Sequence, residues 1–190
     1  MRLFLGIFPP PELARRMAGI RARLEEGMPE ISRSRLRWVR QERCHVTLRF
    51  LGEQDEALVP RLLEEGLRGV DRLAPFELGF AGLGAFPKPE RARVLWLGTG
   101  TGRTELCRLA ELAESGLAAL GIERDARPFQ AHFTLARPGR RPMRLSAGRL
   151  AELELPELPS FRVEELRLVH SVLGGPGSGY RVLGAVRLEA

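Results

Sequence analysis

The sequence predicts an α+β fold whose two halves are built alike, and two observations carry that reading. The tetrapeptide His45-Val46-Thr47-Leu48 returns as His132-Phe133-Thr134-Leu135, and each copy has a glycine seven residues after its histidine, Gly52 and Gly139. With three histidines and five threonines in the chain, two of each fall in one pattern repeated 87 residues apart within 190. The second observation is order: strand-type runs follow one another with few helices between, as expected for helices packed outside mainly antiparallel sheets.

Each element has its own signal. Leu3 to Phe8 is an apolar strand run, followed by a helix from Pro11 to about Glu26 whose Leu13, Met17, Ile20 and Leu24 share one face, with prolines suited to its first turn and Gly27 to its end. Arg35 to Arg40 and His45 to Leu51 are strand-like, and Asp55 to about Val70 reads as a helix capped by Asp55 with Leu58, Leu62 and Leu67 inward. Phe76 to Phe86 is a glycine-broken strand and Val94 to Leu97 another. Gly98 to Gly102 then leads into a helix with Leu106, Leu109, Ala113, Leu117 and Leu120 on one face and Gly121 at its end. Strands return at His132 to Ala136, Val163 to Leu173 and Tyr180 to Leu188, the last two joined by the glycine-rich Gly174 to Gly179.

Composition frames a soluble globular chain: 44% hydrophobic and 28% charged residues exclude a mostly disordered protein. At 190 residues the expectation is a single two-lobed domain spanning 1–190. The early apolar run is too short for a membrane span and leads into Pro9-Pro10-Pro11 rather than a cleavage site, so the expected location is cytoplasmic, with no membrane partner. Cys44 and Cys107 are too few for a disulfide framework and are expected to be reduced and structural. The net charge of +6 suits a phosphodiester or nucleic acid. Nearly all of that positive charge is arginine, Lys88 being the only lysine and asparagine being absent, so the bias is as much compositional as functional.

The repeated motif has a chemical logic. Side chains alternate along a strand, so His45 and Thr47 face one way and Val46 and Leu48 the other, and likewise His132 and Thr134 against Phe133 and Leu135. Two imidazoles on opposite sides of a phosphorus atom suit in-line displacement, one taking a proton from the attacking oxygen while the other protonates the leaving oxygen. The threonine hydroxyls hold non-bridging oxygens, and the reaction needs neither metal nor cofactor. A zinc site would want further ligands beside the motifs, and none repeats there. Cys44 lies next to His45 but faces the other way, which argues against a thiol nucleophile. The loop Gly98-Thr99-Gly100-Thr101-Gly102 lacks the ending of a P-loop and reads as a strand-to-helix turn; His170 has no motif and reads as structural or surface.

With both motifs in place the chain resembles the two-histidine phosphoesterases, specifically the RNA 2′,3′-cyclic phosphodiesterase or 2′-5′ RNA ligase family. The likeness runs from Arg2-Leu3-Phe4 through Pro10, Trp38, His45 to Gly52 and His132 to Arg137, and on to Ser171-Val172-Leu173 and Gly179-Tyr180. It implies a bilobal α+β fold with two pseudo-symmetric, mainly antiparallel sheets, helices outside and a central cleft. It also implies that His45 is the proton donor and His132 the acceptor, and that Thr47, Thr134 and Arg137 contact the phosphate. Strict alternation from His132 turns Arg137 away from the cleft unless the strand ends or bulges before Pro138. Its counterpart by pseudo-symmetry is Phe50, which predicts a cleft charged on one side only.

The reaction implied by the resemblance is attack of water on the cyclic phosphate with cleavage of the bond to O3′, leaving a 2′-phosphate; a 5′-hydroxyl in place of water gives a 2′-5′ linkage. The expected partner is RNA with 2′,3′-cyclic phosphate or 5′-hydroxyl ends, acted on by a monomer. A phosphodiesterase for small cyclic phosphates, or an RNA-binding module with little turnover, are the alternatives, although retention of both histidines and both threonines speaks against the second.

Overall fold

The computed structural model describes residues 1–172, 174 and 178–189. Part of the expected turn at Gly174 to Gly179, and Leu173 at the end of the preceding strand, lie outside the described residues. In order, the chain forms β1 (Arg2–Ile7), α1 (Pro11–Ala18), α2 (Ile20–Gly27), α3 (Pro29–Ser32), β2 (Leu36–Trp38) and β3 (Val46–Glu53). An irregular helical stretch containing α4 (Val59–Arg61) leads to β4 (Phe76–Leu78), β5 (Phe80–Phe86), β6 (Val94–Thr99) and α5 (Arg103–Ala119). The chain ends with β7 (His132–Pro138), α6 (Ala147–Glu152), β8 (Phe161–Val163), β9 (Glu165–Val172) and β10 (Gly179–Arg187).

The strands form an α+β architecture with one large antiparallel sheet in the order β10-β9-β1-β3-β7-β6-β5, with β2 also on β7, and a small β4-β8 sheet. The two sheets expected from the repeat therefore run into one another, and they touch at one residue pair, Val46 with Phe133. Nor do the lobes coincide with the halves of the chain. β9 and β10, from the end of the chain, extend the sheet of β1 and β3, while β2, from its beginning, pairs with β7. α5 in turn packs against β3 and the irregular helical stretch. Strand pairing is a long-range choice that local periodicity does not encode.

The expected first helix is broken in two at Gly19, whose amide donates to Arg16 at 3.0 Å in a tightened turn. Glycine is the weak point of that run because it stabilises helix least among the residues there. The second expected helix starts as foreseen, with Asp55 accepting from the Ala57 amide at 2.9 Å. It then passes through a widened turn at Leu62–Gly66, which sets Gly66 directly against Gly116 of α5. α6 was not foreseen, being too short for periodicity to show; its one signal is Ser146, which accepts from the Arg149 amide at 3.4 Å. The core is continuous and joins Leu3, Leu5 and Ile7 of β1 to Leu106, Leu109, Ala113 and Leu117 of α5.

Gly116 gives a test of this packing. On helix propensity alone Gly116→Ala should stabilise α5 by about 1 kcal/mol. A Cβ there would lie 2.0 Å from the Gly66 carbonyl oxygen, a backbone atom with little room to retreat. The expected outcome of a denaturant melt is the opposite sign, a loss of at least about 2 kcal/mol from overpacking.

Candidate active site

The two motifs meet where the two lobes meet. Val46 and Phe133, the second residue of each motif, form the antiparallel pair joining β3 to β7, and both side chains are fully buried. Extending that register by one residue sets His45 across from Thr134 and Thr47 across from His132, all four on the face opposite the buried pair. All four line a cleft of about 1240 Å³.

Both strands then bulge at the same motif position. In β3 the register against β1 skips Leu48, since Gly6 pairs with Thr47 and Leu5 with Arg49. In β7 the register against β6 skips Leu135, since Trp96 pairs with Thr134 and Leu95 with Ala136. Each bulged leucine is 7% exposed, and the extra residue reverses the alternation after it. Leu135 and Ala136 are thus both buried and Arg137 emerges into the cleft, the condition its placement there required. The same device brings Phe50, the counterpart of Arg137, into the cleft with 54% of its surface exposed.

The imidazoles are oriented alike. His45 Nδ1 lies 2.7 Å from the carbonyl of Arg43, and His132 Nδ1 lies 2.7 Å from the carbonyl of Gln130, in each case two residues upstream. A carbonyl only accepts, so Nδ1 carries the hydrogen and donates, which leaves Nε2 as the exchangeable position on both rings. His45 Nε2 lies 2.9 Å from the Thr47 hydroxyl.

Their surroundings differ. His45 packs among Phe4, Phe8 and Tyr180 with ring centroids 4.9, 5.3 and 5.1 Å away. Gly6 makes room for this, because a Cβ there would sit 3.1 Å from the Phe4 ring and 3.5 Å from the His45 ring. His132 meets Phe86 edge-on at 4.9 Å and Trp96 at 6.0 Å. Burial pushes the His45 imidazole down to about 4, with the charges of His132 and Arg137 acting in the same direction. Burial, then Arg137, also lowers His132 below the ordinary imidazole value. Both rings are therefore neutral near pH 7 when the cleft holds no anion.

Several cleft residues were not picked out in the sequence as site residues. Arg43 lines the cleft on the His45 side; its guanidinium donates to the Ser178 carbonyl at 2.8 Å and lies 5.8 Å from the centre of the Tyr180 ring. The expectation of charge on one side only is corrected by this residue, which sits before the motif and outside the pseudo-symmetric frame. Tyr180, the sole tyrosine, had its family likeness as its only signal. Arg49 ties β3 to Glu114 of α5 at 3.0 Å and to Asp125 at 3.2 Å, on the loop that carries Gln130.

The residues set aside in the sequence fall elsewhere. Cys44 is buried, 3.6 Å from the Met17 sulfur, and burial pushes its thiol up to about 12, so it is no nucleophile. The Gly98–Gly102 loop is filled by chain: a Cβ on Gly102 would lie 2.0 Å from the Glu77 carbonyl oxygen. His170 sits on β9 between Leu3 and Arg181, outside the cleft lining. Among the described residues no three His, Cys, Asp or Glu side chains are grouped to hold a metal ion, and no helix is long and apolar enough to cross a membrane.

Comparison with known proteins agrees with this geometry. The family model described as LigT like Phosphoesterase matches residues 7–96 and 98–180. An RNA 2′,3′-cyclic phosphodiesterase of Aeropyrum pernix is 35% identical over 90% of this chain and 96% of its own. A protein of the same name from Thermus thermophilus is 35% identical over 96% of this chain and 88% of its own. Among solved structures, E. coli LigT without ligand superposes with a TM-score of 0.73 at 27% identity, covering 100% of this chain and 98% of that one. The same E. coli protein has also been crystallised with 3′-AMP, at a TM-score of 0.69 and 26% identity over 98% of this chain and 97% of that one. With its model matched along nearly the whole sequence and its fold shared, the chain belongs to the LigT-like phosphoesterase family.

Proposed function

We propose that this protein hydrolyses RNA 2′,3′-cyclic phosphate ends to 2′-phosphate ends, acting as one two-lobed domain over residues 1–190 by metal-independent acid and base catalysis. The observation that carries the proposal is the matched pair of imidazoles lining one cleft, each with Nδ1 on the carbonyl two residues before it, which leaves Nε2 as the exchangeable position. The activity named for the relatives and the 3′-AMP bound by the E. coli protein support RNA as the substrate class.

In this reading the cyclic phosphate sits between the two motifs. Arg137, with Thr47 and Thr134, holds the non-bridging oxygens and takes up the charge that develops on them. His132 Nε2 accepts a proton from water as its oxygen attacks phosphorus, and protonated His45 donates from Nε2 to O3′ as that bond breaks. The low affinity of His45 for a proton makes its imidazolium a strong acid toward the leaving alkoxide. The substrate's own negative charge raises the proton affinity of both rings and so brings the acid into being on binding. A 5′-hydroxyl in the place of water gives a 2′-5′ linkage by the same transfers; water's far greater concentration favours hydrolysis.

An RNA oligonucleotide with a 2′,3′-cyclic end is expected to yield the 2′-phosphate. His45→Ala and His132→Ala should each slow turnover by about 10² to 10⁴, while His170→Ala has little effect. A 3′-phosphate product would reverse the donor and acceptor roles, and near-normal turnover in either folded variant would sink the mechanism.

The pH profile follows from the direction of the shifts. The competent state carries one proton on the pair, and in the free protein both imidazoles are lowered, so the bell in kcat/KM lies wholly below the ordinary imidazole value of 6.5. The bell in kcat, which reports the complex, should move to higher pH because the bound anion favours the imidazolium. Coincident profiles centred above 7 would contradict the buried, arginine-flanked setting.

Because two imidazoles, two hydroxyls and a guanidinium supply acid, base and charge, rates in excess EDTA are expected to match those without it. Loss on chelation with recovery on adding one divalent ion would assign the protein to a metal-dependent mechanism.

A further inference from the structure

The arginines near the cleft divide into two kinds. Toward α5 they are paired: Arg124 with Glu111 at 2.8 Å, Arg127 with Asp125 at 3.5 Å and Arg49 with Glu114 at 3.0 Å, so that three carboxylates line that end. Toward β2 they are not. Among the described residues, Arg35, Arg37, Arg40, Arg43 and Arg137 have no carboxylate within 4.0 Å.

Strand β2 concentrates that charge. Arg37 stands directly opposite Arg137 in the antiparallel pair of β2 with β7. Paired residues project from the same face, so Arg37 rises on the face from which Arg137 enters the cleft. Arg35, exposed and one residue before β2, lies further along the chain from the histidines, beside Gly139. Like charges placed directly across a ladder are destabilising, and the charge on Arg137 is disfavoured first by burial and then by Arg37, against the pull of Tyr180. Two arginines paired across the ladder, exposed to solvent and lacking an acidic neighbour, are suited to an anion that spans both residues.

Resting on the cyclic phosphodiesterase reading above, we propose that β2 is a second phosphate site, in which Arg37 and then Arg35 hold the RNA backbone phosphates on the 5′ side of the reacting group held by Arg137. A cyclic phosphate occupies the 3′ end, so every other phosphate of the strand lies on its 5′ side. The acidic α5 end of the cleft repels that chain and the arginine line of β2 accepts it. The site makes the enzyme selective for RNA chains over mononucleotides, through backbone charge and without reading base sequence.

The test compares kcat/KM for a 2′,3′-cyclic mononucleotide with that for a tetranucleotide ending in the same group. The wild-type protein should prefer the tetranucleotide by about tenfold or more, the scale of one charge-assisted phosphate contact. Arg37→Ala should reduce that preference about tenfold and Arg35→Ala by a smaller factor. The slope of log kcat/KM against log salt for the tetranucleotide should become shallower by about 0.7 in Arg37→Ala, the value for one lost contact to a single strand. Arg68→Ala removes an exposed arginine elsewhere and should not alter the preference. Equal use of both substrates by the wild type overturns the proposal. So does an equal loss on both substrates in Arg37→Ala, or an equal loss of preference in Arg68→Ala. Turnover of neither substrate would instead overturn the phosphodiesterase reading itself.

Discussion

The site depends on a single backbone pair. Val46 and Phe133 hold β3 against β7, and on either side of that pair the two sheets part, which makes the seam of the fold the floor of the cleft. An antiparallel pair has a local two-fold axis, and here it passes between Val46 and Phe133, residues in equivalent motif positions. Two copies of one tetrapeptide therefore become a ring of four polar groups, each histidine facing the other copy's threonine. A longer ladder between β3 and β7 would close the cleft; none at all would leave the histidines unregistered. Arg49 reinforces the seam, since its ion pairs with Glu114 and Asp125 bind the first motif strand to the helix and loop that precede the second.

Symmetry sets the positions and asymmetry sets the chemistry. Both imidazoles are anchored through Nδ1 to a carbonyl two residues upstream, so their tautomers and aims match. His45, however, lies in an aromatic setting of Phe4, Phe8 and Tyr180, and its proton affinity falls further than that of His132. Two like groups whose environments push them apart are suited to opposite roles in one reaction. The paired bulges act similarly: both reverse the strand alternation, yet one delivers Arg137 and the other Phe50 into the cleft.

Arginine without acidic partners is the other organising feature. Burial keeps both imidazoles neutral and, with Arg37, disfavours the charge on Arg137; in the proposed reading the charge of a bound phosphate offsets these effects. At the opposite end Glu111, Glu114 and Asp125 neutralise their arginines, so charge alone gives the cleft a direction.

By itself the sequence determined which side chains share a face: His45, Thr47, His132 and Thr134 form a repeated pattern whose two-residue alternation is a local property of any strand. It also determined the α+β class and the apolar face of α5, because both follow from periodicity within short windows. Tertiary structure decided what depends on distant partners. Gly19 broke one expected helix, and the stretch of the other that meets Gly116 lost its regularity. β2 crossed to the second motif's strand and β9 and β10 returned to the first, so the lobes mix both halves of the chain. The bulge at Leu135 turned Arg137 into the cleft, and residues upstream and downstream of the motifs, Arg43, Phe8 and Tyr180, gathered around His45. Each of these is fixed by which strands pair and in what register, and that choice is made by the whole core burying its surface at once, beyond the reach of any local window.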